Sequence, residues 1–198
     1  DGVPGYPLIE AYLTGKELKT VAEIDASVSD LMTSARLYMY GLQFTYNPHR
    51  MILNRVTDVY LLDADGNRRE LEDDKLYRVV ADLYSGQMLS AVTKTSYGLL
   101  SVVPKKADGT PIENFEDVIL TDNGGELKAW TAIAHYMESF PDENGDGIAD
   151  IPQYYAGLHE RKVVDDSFNL IKLIKNPNKY AVMIAGIVLI AILLVVLL

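Results

Sequence analysis

Residues 180–198 run without a charge, an amide side chain or a proline. As an α-helix at about 1.5 Å per residue the run is about 28 Å long, roughly the hydrocarbon thickness of a bilayer. A core helix in a small domain needs a polar face, and this run has none. Its place at the end of the sequence excludes a signal peptide. The pattern predicts one transmembrane helix over residues 179–198, with a removable lipid-anchor signal as the rival reading. Whatever precedes it is then a domain held close to a membrane.

That preceding stretch has the size of a single globular domain. The chain holds 28 acidic and 18 basic side chains, a formal charge of −10, which argues against nucleic acid as a partner. It has no cysteine, so disulfides, thiolate nucleophiles and cysteine zinc sites are excluded. A surface protein without disulfides points to a bacterial source. The opening Asp1-Gly2-Val3-Pro4-Gly5 is loop-like and lacks an initiator methionine. The expectation is a segment of a longer polypeptide, with further sequence before Asp1 and beyond Leu198.

Residues 8–13 alternate as a strand, and Gly15 opens a helix with Leu18, Val21, Ala22 and Ile24 on its buried face and Lys16, Lys19 and Glu23 facing out. Residues 36–47 are aromatic-rich with near period-two alternation, and Gly41 marks a bulge. A strand over 54–62 leads into the tight hairpin turn Ala64-Asp65-Gly66-Asn67, 68–71 leads away from it, and a further strand covers 76–81. Residues 83–92 and 96–103 fit either short helix or strand. Asn123-Gly124-Gly125 breaks the chain before a helix over 126–139, whose buried stripe is expected to be Leu127, Trp130, Ile133, Ala134 and Met137. Residues 141–165 read as acidic loop, and 167–175 as a short amphipathic helix stopped by Asn176-Pro177-Asn178. The fold class is α+β. The expected division is a domain over 1–140, an acidic loop and juxtamembrane stalk over 141–178, and the membrane helix.

Several pieces in fixed order carry a family resemblance. They are Leu13-Thr14-Gly15-Lys16-Glu17-Leu18-Lys19, Gly41-Leu42-Gln43-Phe44-Thr45-Tyr46-Asn47, Asn54-Arg55-Val56, the Asp65-Gly66 turn and Tyr77-Arg78-Val79-Val80-Ala81. Over residues 6–140 the sequence resembles the C-terminal domain of the 5′-nucleotidase family of bifunctional metallophosphoesterases. The resemblance implies a surface enzyme that hydrolyses nucleotide phosphoesters. In that family an N-terminal domain holds two divalent metals that activate the attacking water, and the C-terminal domain grips the nucleoside and delivers it. The expected partners are therefore an N-terminal metallophosphoesterase domain of the same polypeptide, a nucleotide and the bilayer. His49, His135 and His159 are scattered and read as surface or packing residues, so this segment alone is expected to be inactive.

Family members clamp the base between two aromatic rings, because stacking orients different bases equally well. The resemblance puts the first ring at Tyr6, in Pro4-Gly5-Tyr6-Pro7, where the family has a P-F-G-N-like stretch. The second belongs to an N-F-x-x-G-G-D-G pattern. Here Asp82 stands for the asparagine and Leu83 for the phenylalanine, the glycine pair and its aspartate are missing, and Tyr84 becomes the displaced platform. The substrate-binding candidates are thus Tyr6, Asp82 and Tyr84. The rival to a nucleotidase domain is a non-catalytic, membrane-anchored, calcium-binding surface module that keeps the fold without the clamp.

A second candidate site lies in residues 142–150. Asp142, Asn144, Asp146 and Asp150 set side-chain oxygens at positions 1, 3, 5 and 9, the Ile148 carbonyl adds position 7, and Gly147 stands at 6. That spacing wraps backbone around one hard cation such as Ca²⁺. Position 12, where a bidentate glutamate closes an EF-hand, is Gln153, so weak binding is expected. The expected location is the cell membrane, single-pass, with the domain outside. Arg161, Lys162, Lys172, Lys175 and Lys179 all precede the helix, which opposes that orientation by the positive-inside rule, although large domains translocate largely regardless of charge.

Overall fold

A computed structural model describes residues 2–29, 36–63, 65–95 and 100–197. Chain contacts divide it into two compact units, one of Asp1–Glu17 with Asp73–His159 and one of Leu18–Glu72 with Glu160–Leu198. Helices and strands are interspersed in the mixed α+β arrangement the sequence predicts.

In the first unit β1 (Leu8–Thr14) pairs antiparallel with β5 (Leu76–Asp82), from Leu8 opposite Asp82 to Thr14 opposite Leu76. Alternation buries Ile9, Ala11 and Leu13 on one face of β1, as period-two geometry requires. Residues 83–92, ambiguous in sequence, fall in helix α2 (Leu83–Thr95). Of the ambiguous stretch 96–103, residues 96–99 lie outside the described residues, and 100–103 are irregular. A 3-10 turn at Phe115–Val118 sets Phe115 beside Ile9, Ala11 and Ile112, with Leu83, Val118 and Ile119 packed around them. Gly86 of α2 approaches this core so closely that an added Cβ would lie 2.4 Å from Ile9 Cδ1.

Asn123-Gly124 forms the turn of a small hairpin between β6 (Thr121–Asp122) and β7 (Gly125–Glu126). Both turn residues have positive φ, 49° and 82°, as this hairpin type demands. Helix α3 (Ala129–Glu138) follows, and here the expected buried stripe fails. Trp130, Ile133 and Met137 are exposed, and Leu127 and Ala134 are only half-buried. Helical spacing shows which side chains share a face but not what covers it. Trp130 lies against the short segment at Pro4 and Gly5, and donates its indole N–H to the Pro4 carbonyl at 3.0 Å.

The second unit holds a four-stranded sheet in the order β4 (Arg68–Glu70), β3 (Val56–Leu62), β2 (Leu42–Tyr46), β8 (Lys162–Val164). The first three are antiparallel neighbours, and β8 lies parallel to β2 with Phe44 opposite Lys162. The expected Asp65-Gly66 turn joins β3 to β4, with Gly66 at φ 79° and its N–H on the Asp63 carbonyl; Ala64 is outside the described residues. The register shifts between Thr45 and Tyr46 rather than at Gly41, whose carbonyl accepts the Leu62 N–H at 3.0 Å in step with the β2–β3 pairing.

Helix α1 (Gly15–Val28) buries Leu18, Val21, Ala22 and Ile24 as expected. Glu23, expected to face out, is also buried. Its carboxylate accepts the backbone N–H groups of Arg55 at 2.8 Å and Val56 at 2.9 Å and the Ser27 hydroxyl at 2.6 Å, so three donors replace its water.

Residues 160–178 are fastened to this unit. Arg50, itself buried, donates to the carbonyls of Asn54 at 2.6 Å, Lys172 at 2.5 Å and Lys175 at 2.9 Å. The Asn47 side chain donates to the Ser167 carbonyl at 2.8 Å, and the Asn54 side-chain oxygen accepts the Asn178 N–H at 2.9 Å. Helix α4 (Leu170–Ile174) is capped by Asn169, and α5 (Lys179–Leu197) by Asn178, which accepts from Tyr180 and Ala181. Helix α5 is long and apolar enough to cross a membrane, with mean hydropathy 3.1.

Candidate functional site

The first-unit site is built where the N-terminal segment meets the start of α2. Backbone bonds fix that segment: Leu83 N–H donates to the Pro7 carbonyl at 2.9 Å and Ala129 N–H to the Tyr6 carbonyl at 3.1 Å. Tyr6 and Tyr84 thereby come together, with ring centroids 5.7 Å apart and planes tilted by 36°. Both rings are open to solvent. A base sandwiched between two rings needs two van der Waals spacings, about 7 Å in all. The pair as folded is therefore one aromatic surface, and it becomes a clamp only if one ring swings aside.

Asp82 has a different task. One carboxylate oxygen accepts the Ser85 N–H at 2.9 Å and the other the Ser85 hydroxyl at 2.7 Å. This is an N-cap of α2, and it fixes the helix from which Tyr84 projects. Sequence reasoning placed Trp130 in a core and so missed an exposed indole flanking Pro4 and Gly5. The only signal available was Gly5 itself, which lacks the Cβ that would stand 2.9 Å from the ring.

Residues 142–150 form a tight loop closed on its own backbone. Asp142 accepts the N–H groups of Gly145 at 2.7 Å and Gly147 at 2.8 Å, and donation from Gly147 foremost holds its carboxyl below the usual carboxylate range. Asn144 accepts from the Asp146 N–H, Asp146 from the Ile148 N–H, and Asp150 from the N–H groups of Glu143 and Asn144. Gly145 and Gly147 both adopt positive φ, 77° and 87°, which gives the curl its sharpness. The side-chain oxygens are turned toward these amides. Among the described residues no group of three or more His, Asp or Glu side chains is gathered closely enough to hold a metal ion.

Each of the three histidines has its own partners. His49 contacts Asp166 at 2.5 Å and stacks on Phe168 in the second unit. In the first, His135 lies 3.8 Å from Asp122, and His159 packs near Tyr154.

Residues 5–92 match the family described as 5′-nucleotidase, C-terminal domain, which is the family the motifs resemble. The likeness read over 6–140 is thus shown up to residue 92. No curated protein matches the chain. Among solved structures, a 5′-nucleotidase precursor from Thermus thermophilus is similar over 81% of this chain and 25% of its own, at 20% identity and TM-score 0.49. An NAD nucleotidase from Haemophilus influenzae is similar over 41% of this chain and 15% of its own, at 24% identity and TM-score 0.36. The chain therefore spans a quarter or less of the length of each of these structures.

Proposed function

We propose that this chain, whose residues 5–92 carry a 5′-nucleotidase C-terminal domain, positions the nucleoside of a phosphoester substrate for a metal-dependent hydrolase held at a membrane. The family match carries the reading. The contact between Tyr6 and Tyr84 supports a stacking surface, with Asp82 fixing the helix that bears Tyr84. Catalysis belongs to an N-terminal metallophosphoesterase domain of the same polypeptide, where the two divalent metals would sit. The two tyrosines stack the base, which tolerates different bases because each has a π-face.

Titration of the full chain in detergent with nucleoside 5′-monophosphates tests the stacking role. Removing one ring costs about 1–3 kcal/mol of base stacking, so Tyr84→Ala should weaken binding by about 5- to 150-fold. Equal affinity for parent and variant would sink the assignment. An upstream sequence bearing D-x-H, G-N-H-[DE] and G-H-x-H metal motifs supports the enzyme. One holding only a signal peptide favours the non-catalytic surface module instead.

The loop at 142–150 supports a second, subordinate reading as a weak Ca²⁺ site through Asp142, Asn144, Asp146, the Ile148 carbonyl and Asp150. The oxygen spacing and the positive-φ glycines favour it. Binding would draw the carboxylates off the loop amides and onto the ion. Calorimetry with Ca²⁺ on the parent chain and on Asp146→Ala separates the outcomes, and two identical blank titrations would remove the site.

The orientation proposed is single-pass, with the domain outside the cell and the C-terminal end toward the cytoplasm. Lys172, Lys175 and Lys179 then face anionic headgroups. Protease added to intact cells should digest the domain. Survival there, with digestion in lysed controls, reverses the orientation.

A further inference from the structure

The segment joining β8 to α5 has a composition that a purely aqueous setting does not explain. Phe168, Leu170, Ile171 and Ile174 are 71%, 77%, 73% and 74% exposed, while Leu173 is half-buried. At about 100° per residue, Leu170, Ile174 and Ile171 fall within one arc of about 100° on α4. Leu173 falls on one flank of that arc and Lys172 on the opposite side of the helix. The helix cannot turn this arc inward, because Arg50 holds the Lys172 and Lys175 carbonyls and Asn47 holds the Ser167 carbonyl.

Two further observations select the occupant of this face. The apolar arc is continuous in sequence with α5, from which only residues 175–178 separate it. Cations lie beside it: Lys175 just past its Ile171 edge, Lys172, which also pairs with Asp165 at 3.1 Å, on the far side of the helix, and Lys179 at the start of α5. An apolar face bordered by lysines suits the zone where acyl chains meet anionic headgroups, with the aliphatic stems lying along the apolar layer and the ammonium groups reaching the phosphates.

We propose that α4 is an interfacial helix, lying in the surface of the same bilayer that α5 crosses, with Leu170, Ile171 and Ile174 inserted among the lipids. The inference rests on the reading of α5 as a membrane span. It adds a second contact with the membrane, and Arg50, Asn47 and Asn54 join that contact to the sheet of the second unit. The second unit is then seated on the bilayer at a fixed attitude instead of swinging on a tether.

The chain has no cysteine, so single nitroxide labels can be placed without background. Ile171→Cys, Ile174→Cys, Lys172→Cys and, within the span, Val188→Cys are labelled in the full chain. Each is reconstituted in vesicles of phosphatidylcholine with phosphatidylglycerol. All four side chains are exposed, so labelling leaves the fold intact.

The expected result is a shift of 171 and 174 toward collision with dissolved oxygen, while 172 favours a water-soluble nickel chelate. A lipid-exposed label at 188 with chelate-accessible labels at 171 and 174 overturns the interfacial helix and leaves the span intact. A chelate-accessible label at 188 overturns both. Dipolar broadening between labels at 171 would identify a second copy of the chain as the occupant, and would also overturn the proposal.

Discussion

Glu17→Gln probes the joint where β1 passes into α1. The carboxylate closes a capping box: Glu17 accepts the Thr14 N–H at 2.8 Å, and Thr14 Oγ1 accepts the Glu17 N–H at 3.2 Å. Its oxygens also take the Val103 N–H at 3.0 Å and the Lys105 ammonium at 2.6 and 2.7 Å. The two charged side chains are only 18% and 13% exposed. Glutamine keeps one acceptor oxygen and turns an NH₂ toward these donors, so a charged bond is lost and the ammonium has no countercharge. One such bond is worth about 1.5–3 kcal/mol and breaking a fully buried pair costs about 3–5 kcal/mol, which brackets the expected loss at about 2–4 kcal/mol. Burial alone would raise the Glu17 pKa, but donation from Lys105, Thr14 and Val103 outweighs it and holds the group below its ordinary 4.5. A depressed folded pKa gives stability that is complete above the unfolded value and lost as pH falls through the folded one. The gap between parent and variant should hold steady above about pH 5 and narrow as the solution is acidified below it. Urea unfolding in detergent micelles, followed by the fluorescence of the single tryptophan, Trp130, reads this in the unit that contains Glu17. A variant within about 0.5 kcal/mol of the parent at neutral pH, or a gap that persists unchanged in acid, refutes the reasoning.

Arg50→Met leaves three backbone carbonyls without their donor, and at about 1–3 kcal/mol for each orphaned group the second unit should lose at least about 3 kcal/mol. Trypsin should then cut at Lys172 and Lys175 faster than in the parent, and an unchanged rate would show that the clamp does not hold the segment. Gly86→Ala pushes a methyl against Ile9 and Phe115, costing about 1–3 kcal/mol of overpacking against a gain in helix propensity of at most about 1 kcal/mol. Thermal unfolding checks the net sign, which should be destabilising. Asp82→Ala should cost about 0.5–2 kcal/mol through the lost cap and speed hydrogen exchange at the Ser85 amide, whereas Asp82→Asn should retain most of the protection.

The strands β1, β3 and β5, the Asp65-Gly66 turn and the apolar α5 were legible because local rules suffice for them. Alternation, a turn dipeptide and an uninterrupted apolar run each need only neighbours in sequence. Glu23 was misread because its partners, the amides of Arg55 and Val56, come from a distant stretch, and no local pattern marks a carboxylate that will find three donors. The strand β8 escaped notice for a related reason: Lys162–Val164 is too short for alternation to show, and its pairing with β2 spans most of the chain. Trp130 erred in the opposite direction, since helical spacing marks a face without supplying the surface that would cover it. For the candidate site, the resemblance singled out Tyr6, Asp82 and Tyr84. The capping of α2 by Asp82 and the 5.7 Å between the rings needed coordinates.

The parallel strand β8 also sets an order of assembly. Chains emerge N-terminus first, and β2 and β3 can pair early while the far edge of β2 has no neighbour. Until Lys162–Val164 arrives, that edge offers open N–H and C=O groups to any passing strand. Its partner is made shortly before Lys179–Leu197, so closing the sheet and presenting the apolar helix are nearly one event. Anchoring and quality control would then share a timer. We expect chains terminated at Asp150 to aggregate or be degraded sooner than chains terminated at Asp166, and equal fates for the two would detach the sheet from the schedule.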